Sequence, residues 1–197
     1  MLKFTLSFFV FIFCIMKGYS QYFPGYYYTN AGEKIEGYIK NGPKYISFGL
    51  TKESKKRNIG GDEICCYVIG RDSFALVKNL GMNSFGNFRG EFAQVVMKGK
   101  LILYIQYYVQ ERYSGPVLMA NGNMMPGGKV SHKVINYFIA GKDGTIYSVK
   151  RRNFSEVMTN LVSDNNALVQ EIKSKRVKYS DLLELVGRYN RWAEVNR

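Results

Sequence analysis

The chain has 197 residues, with 28 lysines and arginines against 15 aspartates and glutamates, a formal net charge of +13. A domain of this length buries a sizeable core without covalent staples, so nothing in the fold demands a disulfide framework. With one histidine and three cysteines, a zinc set would have to borrow carboxylates at no recognisable spacing.

In chain order, the first element is an apolar run from Phe4 to Met16, preceded by Lys3 and closed by Lys17. It is too short to cross a bilayer core, which needs roughly 20 residues, and has the length of a signal-peptide core. Gly18 and Ser20 put small side chains where a signal peptidase needs them. Residues 1–20 are therefore predicted to be a signal peptide cut before Gln21, leaving 26 basic and 15 acidic side chains once Lys3 and Lys17 are gone. Cys14 could serve as a lipoprotein acceptor, but bulky Phe13 stands where such sites need a small residue.

From Gln21 the apolar residues recur with a period near two until about residue 150, then with the helical period. Strands are predicted over Tyr26–Thr29, Lys34–Lys40, Lys44–Gly49, Glu63–Ile69, Phe74–Lys78, Phe92–Met97, Leu101–Gln110, Val134–Ala140 and Thr145–Lys150. Most connections are short, which favours antiparallel neighbours. The fold class is α+β: a mostly antiparallel sheet or partly open β-barrel over residues 21–152, followed by two to three C-terminal helices over 153–197 that pack on it within one domain.

Two hairpins share a turn chemistry. In "TNAGE" and "GKDGT" a type I turn would place Gly32 or Gly144 in the left-handed region, giving a bulged three-residue loop. Thr29 would then face Glu33, Tyr28 face Lys34 and Tyr27 face Ile35. A two-residue loop would instead set Tyr28 against Ile35, and a one-residue slip exchanges the faces. The bulged register predicts Tyr27 inside and Tyr26 and Tyr28 outside.

In the last quarter, Phe154, Val157, Met158, Leu161 and Val162 form one buried helical stripe. Asn153 and Glu156 match the spacing of a capping box. A second helix is predicted over Asn166–Lys173 with Leu168 and Ile172 inward. Ser180 reads as the N-cap of a last helix whose Leu182, Val186, Tyr189 and Ala193 line one face.

The leader ending at Gln21, the start Gly25, Tyr26, Tyr27, Thr29, Gly32, Glu33, Ile35, Gly37, Tyr38, Ile39, and the ending Leu182, Val186, Tyr189, Asn190 resemble a family of uncharacterised secreted bacterial proteins, frequent among Bacteroidetes. The likeness covers both ends of the chain and is weak in the middle; Tyr28 departs from the pattern. It implies export and an envelope location, and it brings no catalytic residues.

Chemistry is sparse. Cys65 and Cys66 are adjacent within "EICCYVIG"; on a regular strand they point to opposite faces and read as two small buried residues. Gly128-Lys129 is not a phosphate loop, because Asn123 stands five before Gly128 and Val130 replaces the required Ser or Thr. His132 with Cys65 or Cys66 could make a nucleophile and base, with no local signature to support it. Glu33 with Glu36 and Asp62 with Glu63 read as solvated acids. The stretch 114–133 reads as an irregular linker, with Met119, Met124 and Met125 as the alternative, an adaptable contact surface.

Basic residues cluster at Lys55-Lys56-Arg57, at Lys150, Arg151 and Arg152, and at Lys173, Lys175, Arg176 and Lys178. The last two groups flank the predicted helices, where the fold could join them into an anion-binding patch. The expected function is therefore a non-catalytic binding or structural role in the cell envelope, with an anionic polymer or membrane surface as partner and no cofactor, metal or nucleic acid. The expected location is periplasmic, outer-membrane-associated or extracellular. An envelope hydrolase with an unrecognised site is the alternative.

Overall fold

A computed structural model describes residues 22–78, 90–119 and 122–196. The expected signal peptide and Cys14 lie outside these residues. Among the described residues twelve strands precede the helices: β1 Phe23–Thr29, β2 Lys34–Lys40, β3 Tyr45–Gly49, β4 Arg57–Gly60, β5 Ile64–Ile69, β6 Asp72–Val77, β7 Glu91–Met97, β8 Ile102–Tyr113, β9 Val117–Leu118, β10 Met124–Met125, β11 Lys129–Ala140 and β12 Ile146–Val149. Helices α1 Phe154–Leu161, α2 Asn166–Lys173 and α3 Leu182–Val195 follow, with a 3₁₀ turn at Tyr179–Asp181 before α3.

Ten strands form one antiparallel sheet in the order β12-β11-β8-β7-β6-β5-β1-β2-β3-β4. Its end strands do not pair with each other, so the sheet is open rather than a barrel. The half from β4 to β7 curls. Ile59 of β4 and Phe92 of β7 share one buried cluster with Tyr27, Ile39, Phe48 and Tyr67. The Phe92 N–H also donates to the Pro43 carbonyl across the curl at 2.8 Å.

The bulged hairpin holds. Thr29 N donates to Glu33 O at 2.9 Å and Gly32 takes φ 88°. Tyr27 lies opposite Ile35 and is buried, while Tyr26 and Tyr28 are only partly covered. The Tyr27 ring meets Phe48 edge-on at 4.9 Å. Phe48 fits there because Gly37 has no side chain: a Cβ at that position would lie 2.5 Å from the Phe48 ring. Gly144 repeats the device at φ 77° between β11 and β12.

The helices cover one face of β8, β11 and β12. Leu103, Ile139 and Val149 from the sheet join Met158, Leu168, Ile172, Val186 and Tyr189 in a single core. The predicted faces of all three helices are inward, but two caps differ from expectation. Asn153 does not cap α1; its side chain accepts from Lys150 N at 2.7 Å and donates to Ser148 O at 2.9 Å, tying the helix start back to β12. Ser180 lies inside the 3₁₀ turn, and Asp181 instead accepts from Lys178 N at 2.8 Å.

Two strand readings also change. The short edge strand β4 replaces part of a predicted loop, because Ile59 alone fills a core position and the rest of it is polar. The stretch 114–133 is not a linker. β8 and β11 continue pairing from Ala140↔Ile102 out to Lys129↔Tyr113, and β9 and β10 pair beyond them. β7 reaches only as far as Ile105, and β12 only as far as Tyr137. From Asn136↔Gln106 outward the ladder is two-stranded; buried Gln106 still bonds Glu91 of β7, and the pairs from Val134↔Tyr108 onward project as an arm, roughly 20 Å long at ~3.4 Å per residue.

Candidate functional site

The segment after α2, which ends the second basic group at Lys178, packs against the start of α1, which follows the first. Tyr179, directly after Lys178, packs edge-on against Phe154 at 6.2 Å and against Tyr137 at 5.9 Å. This seats the segment that follows α2 against the start of α1, beside Lys150, Arg151 and Arg152. Burial holds the Tyr179 phenol above its ordinary range, Tyr137 adds to the rise, and the charge of Arg151 opposes it, so Arg151 lies within electrostatic reach. Arg151, Arg152, Lys173, Lys175, Arg176 and Lys178 are exposed and Lys150 is half-buried.

Two acids lie within electrostatic reach of these cations, Glu171 of Arg176 and Asp181 of Lys178. Glu171 is held by Arg188 through two bonds of 2.7 and 2.8 Å. Among the described residues none of the seven corner cations forms a salt bridge.

Lys175 adds a conformational oddity. Its φ is 58°, the one positive value at a non-glycine among the described residues. Lys175 N donates to Ile172 O and Arg176 N to Glu171 O, both at 3.0 Å, closing α2 with a Schellman motif. Glycine usually fills this position, because a Cβ in the left-handed region costs about 1 kcal/mol. The sequence therefore holds a cation where a strain-free residue would serve the backbone better.

Two members of the third basic cluster, Lys56 and Arg57, are engaged within the fold, while Lys55 is exposed. Arg57 pairs with Glu63 at 3.1 Å. Lys56 Nζ donates to Thr51 O and Lys52 O and sits 4.8 Å from the Tyr22 ring.

Cys65 and Cys66 overturn their reading as buried residues on opposite faces. The β1–β5 register passes from Tyr28↔Cys66 to Thr29↔Ile64, so Cys65 is the extra residue of a β-bulge. Ile64 and Tyr67 both point inward, and the two cysteines between them share the outer side with sulfurs 3.4 Å apart. Cys65 is exposed and Cys66 half-buried, both as free thiols. Burial, then the hydrogen bond with Cys65, push the Cys66 thiol up to about 11.

His132 does not meet this pair. It lies on β11, four strand positions from β5, about 19 Å across the sheet at ~4.8 Å per strand. No group of three or more His, Cys, Asp or Glu among the described residues is placed to hold a metal ion.

Two of the clefts on the described surface bear on the search for a site. One of about 480 Å³ lies over β1 and β2 and is lined by Tyr26, Lys34, Glu36 and Tyr38. Its polar groups serve each other: Lys34 bonds Glu36 at 2.6 Å and sits 4.3 Å from the Tyr26 ring centre. The other, about 390 Å³, lies between the β7–β8 turn and α3 and is lined by Lys98, Lys100, Asn190 and Arg191. Neither includes His132 or a cysteine.

Fold and surface thus define an α+β protein with an open antiparallel sheet, a helical cover and an exposed basic corner. Comparison of the chain with protein-family models, with curated proteins and with solved structures found no match. No helix among the described residues is long and apolar enough to cross a membrane.

Proposed function

We propose that this is a non-catalytic binding protein of the bacterial envelope, exported by residues 1–20, whose basic corner holds phosphate or carboxylate groups displayed by an envelope polymer or by lipid head groups. The site comprises Lys150, Arg151, Arg152, Lys173, Lys175, Arg176 and Lys178. Lys175 carries the reading: an unpaired cation kept at φ 58°, where glycine would cost nothing, favours a use for its charge. The surrounding cations supply a field that gathers anions through long-range, salt-sensitive forces. The leader and the resemblance to secreted proteins support the location.

The test is retention of the exported protein on an immobilised acidic polysaccharide and on vesicles with and without anionic lipid. Retention on either anionic support should fall steeply with salt and with the double charge reversal Arg151→Glu and Arg152→Glu. Binding to only one support would identify the source of the anion; binding to neither at low salt would end the proposal. Mass spectrometry of the exported chain should find its N-terminus at Gln21.

A further inference from the structure

The arm formed by β8 and β11 has a chemistry that the basic corner does not explain. From Tyr113 to Gly128 the sequence contains no Asp, Glu, Lys, Arg or His. The described residues among them form the outer end of the arm, where Tyr113 is 78% exposed, Leu118 69% and Met124 65%, with Met119 and Met125 also exposed. An isolated two-stranded ribbon is at best marginally stable in water, so a long one with apolar side chains outward calls for a covering phase.

The order of side chains along the arm identifies that phase. Leu118, Met119, Met124 and Met125 stand at the tip, and Tyr113 lies opposite Lys129 immediately behind them. Farther back, Lys133 Nζ lies 4.7 Å from the Tyr107 ring. The acid at this level, Glu111, is neutralised by Lys129 at 2.6 Å. An uncharged apolar end, followed by rings and cations with Val109 and Val130 exposed among them, matches a bilayer surface, where amphipathic rings and cations sit at head-group level above the acyl chains. The excess of 26 basic over 15 acidic side chains after removal of the leader complements an anionic leaflet. A protein partner would impose no such ordering by depth.

We propose that the tip of this arm inserts into the head-group and upper acyl region of an anionic lipid bilayer, with Leu118, Met119, Met124 and Met125 in the apolar layer and Tyr107, Tyr113, Lys129 and Lys133 at the interface. The thioethers suit that layer, because unbranched methionines repack against disordered chains. The inference stands whether or not the basic corner binds anions.

The experiment uses the full chain carrying Met125→Trp, with anionic vesicles of phosphatidylglycerol and phosphatidylcholine, in about 1 M salt, where charges reach only ~3 Å. The native Trp192 is half-buried on α3, so a parallel titration of the parent protein gives its contribution. The tip tryptophan should shift to the blue on vesicles and be quenched by brominated lipid. Leu118→Asp should weaken vesicle binding about tenfold, as loss of one buried aliphatic side chain does, and leave retention on the acidic polysaccharide unchanged. Charge reversal at Arg151 and Arg152 should lower retention on the acidic polysaccharide at low salt and leave the tip signal in high salt intact. Absence of a blue shift on vesicles at any salt would overturn the proposal. So would a blue shift without vesicles that grows with protein concentration, which would assign the arm edges to a second copy of the chain.

Discussion

Asn190 clamps the Leu101 peptide from both sides: Leu101 N donates to Asn190 Oδ1 at 2.9 Å, and Asn190 Nδ2 donates to Leu101 O at 2.9 Å. The contact joins α3 to the turn between β7 and β8, 89 residues apart in sequence. Space for the amide exists because the turn contains Gly99, where a Cβ would lie 2.4 Å from Asn190 Cγ.

Replacing Asn190 with Ala leaves the N–H and the C=O of fully buried Leu101 without these partners. The expected cost is about 2–3 kcal/mol of unfolding free energy, read as a lower urea midpoint at unchanged slope. Asn190→Asp should cost a similar amount, since a carboxylate accepts from Leu101 N and cannot donate to Leu101 O.

Asp164 predicts an acid limb. Burial pushes its carboxyl up, but hydrogen bonds from Lys142, Lys100 and Tyr189 outweigh that and bring it down to about 2, from an ordinary 3.8. A depressed carboxylate stabilises the fold above its unfolded pKa, and that stabilisation is lost as pH falls from about 4 toward 2. The group is one-third exposed, so screening reduces the effect to roughly 1 kcal/mol. Asp164→Asn should remove this part of the pH dependence; an identical acid limb in the variant would rule it out.

Lys175 allows stability and binding to be separated. Lys175→Gly should raise thermal stability by about 1 kcal/mol by relieving the left-handed backbone, while lowering retention on anionic supports. A variant that is more stable yet binds equally well would reduce Lys175 to a bystander.

The cysteine pair predicts unequal thiols. Alkylation mapped by mass spectrometry should find Cys65 modified first, with the Cys66 rate climbing as pH rises toward about 11. Cys65→Ala should bring that climb to lower pH, because the hydrogen bond with Cys65 and its charge contribute to the rise. Equal rates at pH 8 would contradict the bulged geometry.

Within the sequence, periodicity determined the α+β order and the inward faces of the described helices, and turn chemistry offered the bulged hairpin at Gly32 beside a two-residue alternative. These are local properties: a glycine at φ 88° or a stripe at helical spacing specifies its geometry through near neighbours. The basic clusters were equally legible, since charge is read directly from residue type. The tertiary structure alone decided what distant strands do to one another. A bulge against Tyr28 put Cys65 and Cys66 on one side, and a ladder continuing past the edge of the sheet turned an apparent linker into an arm. It also fixed which cations stay free at the corner and which, like Arg57, are paired. Register and pairing depend on partners far along the chain, and no short window of residues contains them.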